Sequence, residues 1–143
     1  MIVKGKESQE KLLKGINGTA DVVKTTLGTK GRTVLIQEKY GLGFNITKDG
    51  VTVANSISFD EEYLNIGSDF IKNAAKKTVD EAGDGTTTTS ILTQSMCNNI
   101  FKELELGKNQ NELIKDLKED LEMVVNYIKD KSKKIENTED IKN

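Results

Sequence analysis

The residues whose types and spacing could do chemistry stand together at positions 82–90, Ala-Gly-Asp-Gly-Thr-Thr-Thr-Thr-Ser, directly before the amphipathic run ILTQSMCNNIF. The first backbone N–H groups of a helix have no partner inside the helix and carry the positive end of its dipole, so phosphate oxygens bind there. Asp84 stands beside these groups as a ligand for the divalent cation that accompanies ATP, and its flanking glycines allow close approach. The pattern indicates a phosphate and magnesium site. The alternative is a threonine-rich helix start in which Asp84 only caps the helix.

The composition narrows the possible functions. The chain has 143 residues, of which 35% are hydrophobic, enough for one domain with a modest core. Its net charge of −2 predicts no basic surface for nucleic acid or for an anionic membrane, so we expect neither as a partner. The sequence has no histidine and a single cysteine, Cys97, which excludes a disulfide framework, a zinc or haem site and a Ser-His-Asp triad. We expect Cys97 to pack in the core.

The apolar stretches of the sequence are short. None has the length of a membrane-spanning helix, and residues 1–11 lack the apolar centre of a signal peptide. We therefore expect a soluble chain in the cytoplasm, as in a bacterial-type protein. The alternative is the lumen of a mitochondrion or plastid after removal of a transit peptide.

Four segments carry apolar residues at the three- and four-residue spacing of a helix. The second covers residues 59–79 and has Gly67 on its apolar face, which predicts close contact with another helix. The third follows the acidic turn and ends at Gly107, and the last begins at Asn109, with a glutamate three residues later as in a capping box. The stripes are Leu12, Ile16, Ala20, Val23 and Leu27 in the first helix, which ends at Gly28, and Leu113, Leu117, Leu121, Val124 and Ile128 in the last.

A short β region is predicted between the first two helices. TVLIQ at residues 33–37 is rich in β-branched side chains, the glycine-bearing link YGLG follows, and FNIT at 44–47 completes a hairpin. Lys48-Asp49-Gly50 then predicts a turn. The expected fold is therefore mainly α, with long helices and a small β-hairpin.

Three local sequences stand in a fixed order within this helical frame: TTLGTKGR at 25–32, ITKDGVTVA at 46–54 and AGDGTTTTS at 82–90. In this order and spacing they resemble the N-terminal part of the equatorial, ATP-binding domain of a group I chaperonin, the GroEL-like family. The resemblance runs from about residue 3 to the end of the chain and implies the long-helix bundle of that domain. A Walker A pattern and a G-x-G-x-x-G strand-turn are both missing, which disfavours an ordinary P-loop or dinucleotide fold.

The resemblance implies a site for ATP, Mg²⁺ and K⁺. Asp84 matches the magnesium ligand of the family, and the main-chain oxygens of Thr26 and Lys48 match positions that help to hold a potassium ion. The side chain of Lys48 is expected to stay in solvent rather than to contact phosphate. The residues that the resemblance assigns to the nucleotide are Thr26, Leu27, Gly28 and Thr29 in the first loop, Lys48, and Gly85, Thr86, Thr87 and Thr88 at the helix start.

The resemblance also assigns the catalytic role to Asp49, which matches an acidic residue that positions or activates the attacking water. A metal-holding carboxylate and a second carboxylate facing the water satisfy the needs of phosphoryl transfer. Without the resemblance, a turn residue before glycine is an equally good interpretation of Asp49. Thr29 departs from the family, which usually has proline there, so we expect a more mobile loop and an affinity for nucleotide weaker by about 1 kcal/mol.

The resemblance implies further partners and domains. The parent protein would be an ATP-driven folding chamber, a ring of identical subunits that works with a co-chaperonin on unfolded client proteins. Residues 1–143 match only the N-terminal part of the equatorial domain, so the apical and intermediate domains are expected to be absent and the chain alone to be inactive as an ATPase. One alternative is a stand-alone nucleotide-binding or regulatory module derived from a chaperonin, without turnover. Another is a purely structural helical fragment whose threonine run is only a cap.

Overall fold

The computed structural model describes residues 5–37 and 43–132, which fall into two compact units divided between Lys102 and Glu103. The described part is mainly α with one small antiparallel hairpin, which confirms the predicted fold class. No helix among the described residues is long and apolar enough to cross a membrane. The elements are α1 (Lys6–Val23), β1 (Val34–Gln37), β2 (Phe44–Thr47), α2 (Gly50–Ser56), α3 (Glu62–Ala82), α4 (Thr86–Glu105) and α5 (Gln110–Lys131).

Helices α1 and α3 pack closely because glycine stands on both sides of their contact. A Cβ atom on Gly15 would overlap the carbonyl oxygen of Leu64, and one on Gly67 would overlap the carbonyl oxygen of Leu12. The absence of both side chains brings the two backbones together, as Gly67 predicted. The buried core at this contact consists of Ile16, Ala20 and Ile71, with Leu12 and Cys97 packed against it. The prediction that Cys97 packs in the core is confirmed.

A second core cluster connects the hairpin to the helices. Val23 at the end of α1 is buried with Val53 and Ala54 of α2, and the inward side chains of β1, Val34 and Ile36, pack against them. Strands β1 and β2 pair antiparallel, with Val34 opposite Thr47 and Gln37 opposite Phe44. The predicted hairpin is confirmed, and part of its link, residues 40–42, lies outside the described residues. This cluster fixes the start of α2.

The first helix and the KDG segment differ from the prediction. Helix α1 ends at Val23 and continues only as a 3₁₀ turn over Lys24–Thr26, so Leu27 is extended and 49% exposed rather than part of the apolar stripe. Asp49 is not a turn residue but the N-cap of α2, a seven-residue helix that the sequence reading missed. A helix of seven residues has only about two turns, too few for an apolar stripe to be recognised in the sequence.

Glycines and one asparagine set the other helix ends. Gly83 adopts a left-handed conformation (φ 76°) after α3, and its N–H donates to the carbonyl oxygen of Val79. Gly107 (φ 88°) follows α4, as predicted. In the second unit, the side chain of Asn109 accepts a hydrogen bond from the N–H of Asn111 and caps α5. Of the apolar stripe on α5, Leu113 is buried, while Leu117, Leu121, Val124 and Ile128 are 37–62% exposed.

Candidate functional site

Three segments that are distant in sequence meet around one cavity of about 280 Å³ in the first unit. They are the loop after α1, the start of α2 and the start of α4. The lining is polar, and its charged residues are two aspartates and one lysine. The lining residues are Thr26, Leu27, Gly28, Lys48, Asp49, Gly50, Asp84, Gly85, Thr86, Thr87 and Thr88.

The start of α4 has the geometry of an anion-binding helix terminus. The first bond of the helix runs from the N–H of Thr89 to the carbonyl oxygen of Gly85, at 2.9 Å. The N–H groups of the three preceding threonines therefore have no partner within the helix. Gly85 has a φ of 92°, a backbone conformation that favours glycine, and its N–H donates to Oδ1 of Asp84 at 2.6 Å. The acidic side chain is thus held beside the free N–H groups.

Helix α4 is held against the other two segments by its threonines. The Oγ1 atoms of Thr26 and Thr87 lie 3.1 Å apart, and Thr26 also donates to the carbonyl oxygen of Val23 at 2.7 Å. A Cβ atom on Gly50 would lie 2.5 Å from Oγ1 of Thr87 and 2.9 Å from Oγ1 of Thr86, so a side chain at this position would force the threonines of α4 to shift. Thr26, Gly50 and Thr86 are buried, and these contacts fix three edges of the cavity.

Asp49 has one carboxylate oxygen engaged in capping α2. Oδ2 accepts a hydrogen bond from the N–H of Thr52 at 2.8 Å and another from the hydroxyl of the same residue. The backbone N–H of Asp49 donates to Oγ1 of Thr47 at 3.0 Å, which ties the cap to the end of β2. The side chain is exposed and borders the cavity, so its other oxygen, Oδ1, remains for a ligand or a water molecule.

The loop after α1 turns tightly beside the cavity. Gly28 has a φ of 71°, and its carbonyl oxygen accepts from the N–H of Gly31 at 3.0 Å. The N–H of Arg32 donates to the carbonyl oxygen of Thr25 at 2.7 Å, which closes the loop at its base. Thr29, at the exposed tip of this turn, does not belong to the cavity lining.

A polar network holds α4 against α1. The amide groups of Asn17 and Asn98 exchange hydrogen bonds of 3.1 and 2.7 Å, and Gln94 donates to Asp21 at 3.0 Å. The ammonium group of Lys24, at 2.7 Å, lowers the pKa of Asp21, and the bond from Gln94 adds to the shift. This network keeps α4 in register with the loop that follows α1.

The structure brings together nearly every residue that the sequence and the resemblance assigned to the site. All nucleotide and ion positions line the cavity except Thr29, and so does Asp49; their roles stay predictions. The sequence reading missed Gly50, which lies against the α4 threonines, and Thr52, which holds Asp49. The pattern Asp-Gly-Val-Thr is a helix N-terminus signal that could have revealed the second of these.

Comparison with known proteins identifies the family. Residues 19–143 match the TCP-1/cpn60 chaperonin family, and the chain therefore belongs to that family. The GroEL-like resemblance is confirmed at this level.

Solved structures agree with the family assignment. Two crystal forms of the chaperonin gp146 from the bacteriophage EL 2 (Pseudomonas aeruginosa), both in the presence of ATP-BeFx, match with a TM-score of 0.64 and 40% sequence identity. The match covers 71% of this chain and 18% of the gp146 chain. The chain thus matches less than one fifth of the length of that relative.

Proposed function

We propose that this chain is the nucleotide-binding segment of an ATP-dependent chaperonin and that its cavity holds ATP with a magnesium ion. The observation that carries the proposal is the convergence of residues 26–28, 48–50 and 84–88 on one polar cavity. The volume of about 280 Å³ is just below the range of about 300–1,000 Å³ that is typical of small-molecule sites. The presence of ATP-BeFx with gp146, which is 40% identical, supports the same class of ligand.

The phosphate groups would bind at the start of α4. The N–H groups of Thr86, Thr87 and Thr88 precede the first intrahelical bond and offer three unpaired donors at the positive end of the helix dipole. The hydroxyl groups of Thr86 and Thr88 add further donors, whereas that of Thr87 donates to Thr26, and Gly85 leaves the backbone accessible. This part of the cavity therefore has the donors that an anion requires without an arginine.

The residues around Asp84 fit a magnesium ion. Its Oδ1 is bonded to the N–H of Gly85, which leaves Oδ2 as a hard oxygen ligand. Magnesium bound with a nucleotide is commonly held by one or two carboxylates together with phosphate oxygens and water, and Asp84 would supply the carboxylate. When bound, the ion would neutralise charge on the phosphates.

The main-chain oxygens of Thr26 and Lys48 are proposed to hold a potassium ion. Thr26 and Lys48 both border the cavity, as they must if their main-chain oxygens are to hold the ion. Backbone carbonyl oxygens suit a monovalent cation because they supply partial charge without a carboxylate. Binding that depends on potassium would support this assignment.

Asp49 is proposed to orient the attacking water. One of its oxygens is held by Thr52, so the carboxylate cannot rotate freely, and Oδ1 remains to accept a hydrogen bond from water. A fixed acceptor of this kind acts by positioning as well as by charge. The bond that caps α2 would therefore also fix the carboxylate that orients the water.

We further propose that these residues serve a ring of identical subunits that assists protein folding, with a co-chaperonin and unfolded clients as partners. Membership of the chaperonin family supports this proposal. Nucleotide binding in such a ring would shift subunits between conformations, because ATP binds the two states with different affinity. A cytoplasmic location is part of the same proposal.

Binding of a fluorescent ATP analogue to the 143-residue chain, with and without magnesium, tests the proposed site. We expect magnesium-dependent binding that Asp84→Asn weakens by about ten-fold or more, since the variant loses the charge that anchors the metal. Asp80→Asn is the matched control, an exposed carboxylate on α3 outside the cavity lining. Equal binding by Asp84→Asn and the unsubstituted chain would refute the assignment.

Release of phosphate at saturating ATP separates a complete enzyme from a binding module. The side chains of Asp49 and Asp84 are exposed, and phosphoryl transfer is faster where bulk water is excluded. We therefore expect binding by the 143-residue chain with turnover close to background. Turnover that Asp49→Ala abolishes would show instead that the chain is a self-sufficient ATPase.

A further inference from the structure

The turn that carries Asp84 is built from flexible backbone. Helix α3 ends at Ala82, and α4 begins at Thr86, so three residues connect the two helices. Two of them, Gly83 and Gly85, have positive φ angles of 76° and 92°. Glycine has more conformational freedom than any other residue, so these two positions do not by themselves fix the start of α4 relative to the end of α3.

A pair of threonine hydroxyls bridges this turn. Oγ1 of Thr78, on the last turns of α3, lies 3.0 Å from Oγ1 of Thr89, on the first turn of α4. Oγ1 of Thr78 also lies 2.9 Å from the carbonyl oxygen of Ala74. The hydroxyl of Thr78 has one proton, and both Oγ1 of Thr89 and the carbonyl oxygen of Ala74 lie within reach as its acceptors. The bridge thus links α4 to the backbone of α3.

The same side chain lies beside the turn. The methyl carbon Cγ2 of Thr78 is 3.9 Å from the place that a Cβ atom on Gly85 would occupy. The link from Thr78 to α4 is its hydroxyl. Both threonines are half-buried, so water competes only in part for this hydrogen bond.

We propose that Thr78 and Thr89 are positioning residues that hold Asp84 and the N–H groups of α4 in the arrangement that binds magnesium-ATP. This inference rests on the proposed nucleotide site. Neither residue belongs to the cavity lining, so each acts through the turn and not by contact with the ligand. Without the bridge, the glycine turn samples other conformations. Affinity for the nucleotide then falls, because part of the binding free energy is used to restore the binding conformation.

The test measures affinity for a fluorescent ATP analogue with magnesium, together with the thermal unfolding of each variant. Thr78→Val keeps the shape of the side chain and removes its hydroxyl, and Thr89→Val does the same on α4. Each is expected to weaken binding by about three- to ten-fold, the effect of one hydrogen bond. Thr78→Ser, which restores the hydroxyl, is expected to bind within about two-fold of the unsubstituted chain. The double valine variant should bind no more weakly than the single variants, because all three lack the same bond.

Thr19→Val is the matched control. Thr19 donates to Oγ of Ser68 at 2.9 Å between α1 and α3, a buried hydroxyl pair that does not line the cavity. Its loss should lower the unfolding temperature at least as much as Thr78→Val but leave the affinity within about two-fold.

The outcomes distinguish this inference from the proposed function. Magnesium-dependent binding that is unchanged in Thr78→Val, or weakened equally by Thr19→Val, would overturn the positioning role and leave the proposed site intact. The positioning role is also refuted if serine fails to restore affinity or if the two valine effects are additive. An unsubstituted chain that binds no nucleotide would overturn both proposals.

Discussion

Asp49 caps α2 and also borders the cavity, and substitutions at this position separate the two contributions. Oδ2 accepts from both the N–H and the hydroxyl of Thr52, and the helix that it caps contributes Val53 and Ala54 to the second core cluster. Asp49→Ala removes both bonds. Loss of an N-cap destabilises a protein by about 1 kcal/mol, which corresponds to a fall of about 4 °C in the unfolding temperature for a chain of this size.

Asp49→Asn keeps an oxygen that can cap the helix but removes the carboxylate. Asparagine is as good an N-cap as aspartate, so the unfolding temperature should stay within about 1 °C of the unsubstituted chain. In a full-length chaperonin that carries this segment, ATP hydrolysis should fall by about ten-fold or more in both variants, with affinity for ATP within a few-fold. The two substitutions should therefore differ in stability and agree in catalysis.

Circular dichroism against temperature and steady-state phosphate release provide the two measurements. Asn109→Ala is a suitable control because it removes the cap of α5, and no residue of the second unit lines the cavity. We expect it to lower stability without changing affinity. The reasoning is refuted if Asp49→Asn destabilises as much as Asp49→Ala, or if Asp49→Asn leaves the hydrolysis rate unchanged in a full-length chaperonin that carries this segment.

Two further predictions concern the packing of the first unit. Gly67→Ala should destabilise the fold by about 2 kcal/mol or more, because the added methyl would overlap the backbone oxygen of Leu12. Gly18→Ala is the control and should be nearly neutral, because its methyl would meet only the movable ring of Phe59. Equal unfolding temperatures for the two variants would contradict this prediction. Burial raises the pKa of the Cys97 thiol in the folded chain. The buried neutral thiol therefore contributes fully to stability below about pH 8.5, the ordinary pKa of a thiol in an unfolded chain, and this contribution declines as the pH rises above that value. Iodoacetamide should alkylate Cys97 more slowly in the folded chain than in urea at pH 8.5, and equal rates would show that the thiol is not protected.

Much of the fold follows from local patterns in the sequence. The helical spacing of apolar residues, the glycines after α3 and α4 and the asparagine before α5 act over three or four residues, so they can be recognised without tertiary information. The hairpin follows from two β-branched runs at a short separation. The end of α1 could not be predicted in this way, because Leu27 continues the apolar spacing although the chain has already left the helix.

The site depends on contacts that periodicity cannot reveal. The segments around Thr26, Asp49 and Asp84 come together because α1 packs on α3 through paired glycines and because α2 is fixed by the second core cluster. These are contacts between residues far apart in sequence, and it was the chaperonin resemblance, not the spacing, that predicted which segments meet. Neither the periodicity nor the resemblance predicted the bridge between Thr78 and Thr89.

The central claim is that one cavity, formed by residues 26–28, 48–50 and 84–88, binds magnesium-ATP. Amide chemical shifts of the ¹⁵N-labelled chain, recorded as magnesium-ATP is added, test this claim most directly because they report the location of the ligand. We predict saturable shifts that are largest for Gly28, Gly50 and Gly85 to Thr88 and that require magnesium. The absence of saturable shifts, or shifts that are largest outside the cavity lining, would contradict the account.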